Sequence, residues 1–181
     1  TEARWKRKQE ARRKAEEAAG EDWRQHLRAN LDLIRSENNP ASMSGERHYL
    51  YSRMHEKEGS SGKWALGKWE LLEKEFGEEV ALAFRDGAIA FWRTQKPALV
   101  SEGANTNSTP FSVTLGLAGL AIEARSRPGW AGRLTSDEAE VAARYAIWEL
   151  NGFPDWLPEL YVAHPDTVFS IFQREIEHEL R

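Results

Sequence analysis

The chain has 181 residues, 40% hydrophobic and 30% charged, with a formal net charge of −4. That length suits one domain with a real core, and the mild negative charge gives no global pull toward nucleic acid or anionic lipid. The absence of cysteine excludes disulfides, thiolate zinc sites and cysteine nucleophiles, and no run approaches the roughly 18 apolar residues of a membrane span.

The start, "TEARWKRKQEARRKAEE", has a charged region with no apolar region after it, so it is not a secretory signal. Residues 1–19 carry seven Lys/Arg against four Glu, locally +3, with Ala11, Ala15 and Ala19 on one face. Trp23, Leu27, Leu31 and Ile34 continue in phase. Gly20 costs a helix only about 1 kcal/mol, so 3–36 reads as one long helix, or as two hinged at Gly20. "SENNPASMSG" (36–45) ends it with Pro40 and turn residues.

A helix is expected over 46–57, then a break at "GSSG" (59–62). Trp64, Leu66, Trp69, Leu72 and Phe76 suggest a helix over 63–76, closed by Gly77 as C-cap. Helix 78–94 opens on two acids, and its wide apolar arc implies burial between neighbours. Residues 95–109 form the longest loop, a length often tied to function. Thr109 as N-cap and Pro110 then open a nearly all-apolar helix in which Gly116 and Gly119 would admit a close neighbour.

Thr135 and Glu138 form a capping box before helix 136–150. Asn151-Gly152 reads as its C-cap and Asp155 as the N-cap of a short helix with Pro158 in the first turn. His164-Pro165 separates this from a last helix with Val168, Phe169, Phe172, Ile176 and Leu180 on one face, the face expected to be buried. The expected fold is all-α, with eight or nine antiparallel helices, arranged as a HEAT/armadillo-like repeat or an irregular bundle. The expected organisation is a charged long or linker helix at 1–36 and a helical domain at 37–181, with 134–181 the clearest repeat-like unit.

Several motifs fail on their chemistry. "GSSGK" (59–63) lacks the first Gly and the Ser/Thr of a phosphate loop and follows no strand. His48 and His55 would share a helix face about 10 Å apart, too far for one metal ion. Glu175 and His178 form half of a di-iron pattern without a second copy. Asp86 and Arg144 interrupt apolar arcs and read as bracing, since buried charges need partners. The basic first helix could touch phosphates, yet interleaved Glu10, Glu16 and Glu17 favour intrahelical pairs, so nucleic acid is disfavoured. No catalytic, cofactor-binding or metal-binding constellation emerges, and no cofactor is expected.

Eight tryptophans are many for this length. Such rings serve as core pieces or as anchors in partner surfaces. The candidates for partner binding are Trp64, Trp69, Trp92, Trp130 and Trp156.

"EEVALAF" (78–84) and "AEVAARY" (139–145) are faintly alike, as repeats would be. The stretch "EVAARYAIWELNGFPDWLPELYVAHPDTVFSIFQRE" (140–175) resembles the helical repeats at the C-terminal side of large bacterial NACHT/STAND-type ATPases, some of them antiviral defence proteins. In that family such repeats sense or hold a partner while a separate domain hydrolyses ATP, and no ATPase motif carries over to this chain. The expected function is thus a non-enzymatic helical-repeat segment of a larger intracellular, cytoplasmic protein. It would serve as scaffold or sensor surface toward a protein partner or other domains of the same protein. The alternative is an enzyme or small-ligand receptor with an inter-helix pocket covered by loop 95–109.

Overall fold

The structure, a computed structural model, describes residues 2–36, 45–59 and 62–181. Among these it is all-α, without strands: α1 (Glu2–Ala29), α2 (Leu31–Arg35), α3 (Gly45–Glu58), α4 (Glu73–Phe76), α5 (Glu78–Thr94), α6 (Phe111–Ser126), α7 (Ser136–Ile147), α8 (Leu157–Ala163) and α9 (Pro165–Glu179). Short 3-10 turns occupy Trp69–Leu72, Val100–Glu102 and Ala131–Arg133. No described helix is long and apolar enough to cross a membrane.

Helix α6 organises the packing. Every residue from Val113 to Leu120 is buried, as are Ile122 and Glu123. A helix apolar on all sides must be covered on all sides. One side of α6 gives Leu115, Ala118 and Ile122 to an N-terminal core with Leu27, Ile34, Leu50, Met54, Phe76, Phe84 and Phe91. The other gives Leu117 and Leu120 to a C-terminal core with Trp92, Trp130, Tyr145, Trp148, Trp156 and Leu160.

The glycines expected to admit a neighbour do so. A Cβ on Gly119 would lie 2.8 Å from the Ala88 carbonyl carbon of α5, and one on Gly116 would overlap the Tyr145 ring of α7. Gly87 of α5 likewise lies against the Ile34 carbonyl, which brings α2 across α5.

Some local expectations hold and others shift. The Thr135–Glu138 box forms, with Glu138 N–H donating to Thr135 Oγ1 at 3.2 Å and Thr135 N–H to Glu138 Oε2 at 2.9 Å. α1 runs unbroken through Gly20 but stops at Ala29, before the expected 36. There the Asn30 side chain takes the His26 carbonyl at 2.8 Å. Residues 63–68 are not helical. The N–H groups of Trp64 and Ala65 donate instead to the Glu149 carboxylate, at 3.0 and 2.7 Å, and Gly67 lies on the α6 backbone at Ala121.

α6 begins at Phe111 with Pro110, not Thr109, in the N-cap position. α7 ends at Ile147, so Asn151-Gly152 forms a separate turn with Gly152 at φ +86°. α8 starts at Leu157, with Trp156 rather than Asp155 before it. Residues 37–44 of the expected break, and Ser60 and Ser61 of "GSSG", lie outside the described residues. Leu27 and Ile34 are fully buried in the same core as α3–α5, so the end of α1 and α2 belong to the body. Residues 4–19 are exposed throughout.

Gly119→Ala should lower the unfolding free energy by about 1–3 kcal/mol in urea titration, as overpacking does, despite a helix-propensity gain of about 1 kcal/mol. Gly132→Ala, where a Cβ meets nothing within 4 Å, should stay within about 0.5 kcal/mol of the parent.

Candidate functional site

The last helix does not present the face its sequence promises. α9 buries Val168, Ile171 and Glu175, while Phe169 is 60% exposed, Ile176 57% and Leu180 81%. The apolar arc of α9 is wider than the surface available to it, and only one edge is used. Glu175 fixes that rotation: its carboxylate accepts from Ser101 N–H at 3.2 Å and from the Ser101 hydroxyl. With Glu175 held inward, the stripe Phe169–Ile176–Leu180 turns outward.

α8 also exposes Tyr161 and Val162, and the segment before it exposes Leu150 and Phe153. The Phe153 and Phe172 rings meet at 5.3 Å. Between α8, α9 and residues 153–155 runs a groove of about 630 Å³ whose walls include Phe153, Leu157, Pro158, Tyr161, Phe169 and Phe172. Pro158 and Pro165 sit in the first turns of α8 and α9, where their missing N–H groups cost nothing. Pro165 follows the single residue His164 that separates α8 from α9, so the chain turns there and the two helices flank the groove. From Leu150 to Phe172 the sequence has three acids, Asp155, Glu159 and Asp166, and no Lys or Arg. Asp155 is paired with Lys63 at 3.0 Å.

Of the five candidate tryptophans, Trp92, Trp130 and Trp156 are buried in the C-terminal core. This corrects their assignment as contact residues, because a ring at most 5% exposed offers no surface. Trp64 and Trp69 are half-buried and line no part of that groove, Trp64 stacked on His55 at 5.8 Å and Trp69 beneath Arg85 at 5.3 Å. The five do not converge. Phe153, Tyr161, Phe169, Ile176 and Leu180 were not among the sequence candidates. Phe169, Ile176 and Leu180 carry a signal, the apolar arc of α9 that periodicity assigns to the buried face, whereas Phe153 in the turn and Tyr161 on α8 carry none of that kind.

Loop 95–109 is tied down from α7 and α9. Arg144, buried, donates to Glu102 at 2.7 and 2.8 Å and to the Pro97 carbonyl at 2.9 Å. Trp148 Nε1 donates to the Ala98 carbonyl at 3.0 Å. The space beneath the loop is an open cleft of about 390 Å³ walled largely by Pro97, Ala98, Pro110, Val113, Tyr145 and Trp148. The hydrogen bond from Arg144, aided by the Leu99 N–H and Arg174, holds the Glu102 carboxyl down to about 2.

The other charged and histidine candidates do not assemble with Arg144. Asp86 pairs with its neighbour Arg85 at 2.7 Å on the surface. His48 and His55 line a separate aromatic cleft of about 410 Å³ with Tyr51, Trp64 and Phe111. Among the described residues no three side chains are placed to hold a metal ion.

Because the folded pKa of Glu102 lies below the ordinary 4.5, its ion pair adds stability that is complete above about pH 4.5 and lost as pH falls toward 2. Glu102→Gln should lower the urea midpoint at pH 7 and shrink its drop between pH 7 and pH 3. An unchanged pH dependence would contradict the pairing.

No protein-family model, curated protein or solved structure matches the chain, so its function is argued from its own geometry.

Proposed function

We infer that the chain is a non-catalytic helical interaction module and that the groove between α8 and α9 is its docking surface. The single observation that carries this is the apolar groove in which the exposed Phe153, Tyr161 and Phe169 meet, extended along α9 by the exposed Ile176 and Leu180. Contiguous exposed apolar surface of this kind marks an interaction site. A groove flanked by two helices suits an amphipathic helix that inserts side chains at i, i+3, i+4 and i+7. The resemblance of residues 140–175 to repeats that hold or sense a partner points the same way, toward a scaffold within a larger intracellular protein of bacterial defence type. A cytoplasmic setting belongs to that reading and fits the lack of cysteine.

The pocket alternative finds its best support in the aromatic cleft of His48, Tyr51, His55, Trp64 and Phe111. Its one acid, Glu56, is paired with Arg53, so the cleft offers mainly ring faces and a bound ring or cation suits it better than turnover.

Peptide display against the full chain should enrich helical sequences with aromatic or aliphatic anchors at one-turn spacing. Phe169→Asp should abolish the enrichment while leaving the thermal midpoint within a few degrees, because the ring is mostly solvent-exposed. Enrichment that survives this substitution, or none at all, would remove the groove reading.

A further inference from the structure

We propose that the aromatic cleft between α3, Trp64 and the start of α6 binds a planar heteroaromatic ring with both hydrogen-bond donors and acceptors on its edge. The proposal rests on the pocket reading and chooses between its two ligands. It stands apart from the groove between α8 and α9, with which the cleft shares no wall residue.

Three separate stretches of chain make the cleft. α3 gives one face: His48, Tyr51, Ser52 and His55 stand at spacings of three, one and three, which are neighbouring positions on a helix surface. Trp64 forms the second wall. Its backbone N–H and that of Ala65 are held by the Glu149 carboxylate at 3.0 and 2.7 Å, while its indole Nε1 has no acceptor among the described residues. Thr109 and Phe111 come from the entry to α6. Phe111 meets His48 at 4.6 Å and Tyr51 at 5.5 Å, both edge to face, and His55 lies on Trp64 at 5.8 Å. Rings already braced against one another need little further ordering when a ligand arrives, which favours binding. The volume, about 410 Å³, lies within the range of small-molecule sites.

The polar groups select the ligand. The side chains of His48, Ser52, His55 and Thr109 line the cleft and make no hydrogen bond to the described residues. Imidazoles and hydroxyls can each donate or accept, so together they suit an edge of mixed polarity. A pure hydrocarbon would bury these groups without partners, which is costly. His48 and His55 stand two turns apart on α3, about 10 Å. The spacing that denies them a shared metal ion suits a flat ligand longer than a single ring.

A cation finds less in the same place. Glu56 is the one acid in the described wall, and Arg53 already neutralises it. A cation leaving water needs an unpaired negative charge. Ring faces and uncharged polar groups are what the cleft has to offer, and a heteroaromatic ring uses both.

Histidine-labelled NMR of the full chain tests this, because the five imidazoles at positions 26, 48, 55, 164 and 178 report separately. The probes are adenine and benzimidazole, both flat bicycles with donor and acceptor edges, and tetramethylammonium as the cation. At least one bicycle should shift His48 and His55 along a saturable curve, with a dissociation constant of about 1 mM or below for ligands this small. His26, His164 and His178 should stay in place, and tetramethylammonium should move none of the five. His55→Ala, read at His48, should weaken binding about fivefold or more, as loss of a stacking partner does. Thr109→Val should weaken it in the same direction, with the circular dichroism of both variants unchanged. Gly132→Ala, outside the cleft, should bind as the parent does. Five signals that move alike, or affinities unchanged in both cleft variants, would overturn the proposal. A response to tetramethylammonium alone would overturn the ring and keep the pocket. Silence toward all three probes would remove the pocket reading with it.

Discussion

Helix α6 is the constraint from which the rest of the architecture follows. Nearly every residue from Val113 to Glu123 is buried, so neighbours must close around it from both halves of the chain. The close approach of α5 at Gly119 and of Tyr145 at Gly116 is the form that closure takes. One carboxylate is trapped in the process. Glu123 is neutralised by Trp92 Nε1 at 2.8 Å, by Arg93 at 2.6 and 2.9 Å, and by Arg127 at 2.8 Å. Arg93 also reaches Glu138 at 2.7 Å, so this buried network ties α5, α6 and the start of α7 together. A buried carboxylate held this way needs every partner, because an unpaired charge in the interior is costly.

With α6 enclosed, the C-terminal helices are left to cover α7 and loop 95–109. That task uses one edge of α9 and leaves the other free. Loop 95–109 acts as a strap rather than a roof: Arg144 and Trp148 hold it from α7, and Ser101 fixes Glu175 of α9. The orientation of α9, and hence the outward stripe, is therefore set by polar bonds made 74 residues away in sequence. The proposed docking edge and the fold meet at that point, because the same bond that seats the helix exposes its apolar edge.

Much of the fold was legible because its signals are local. Gly77 as a helix stop, Thr135–Glu138 as a start, Pro158 and Pro165 in first turns, and the enclosed character of α6 are all written within a few residues. What was illegible depends on distant partners. The residues 63–68 have helical periodicity, yet their N–H groups are claimed by Glu149, more than 80 residues on. The candidate surface was misplaced for the same reason. Aromatic size drew attention to Trp92, Trp130 and Trp156, which size also makes the natural filling of a core. The apolar stripe of α9 was visible, but whether it faced in or out hung on Glu175, whose partner no periodicity could supply.

The central claim is that the outward edge of α9 is covered by another helix when the molecule is in its working state. A photoreactive benzophenone residue in place of Phe169, in the full chain, tests this most directly. Irradiation with a helical peptide selected by display should give a covalent adduct whose cross-link maps to one of the peptide's apolar anchor residues. Products confined to reaction with solvent, or cross-links scattered without preference over the surface, would contradict it.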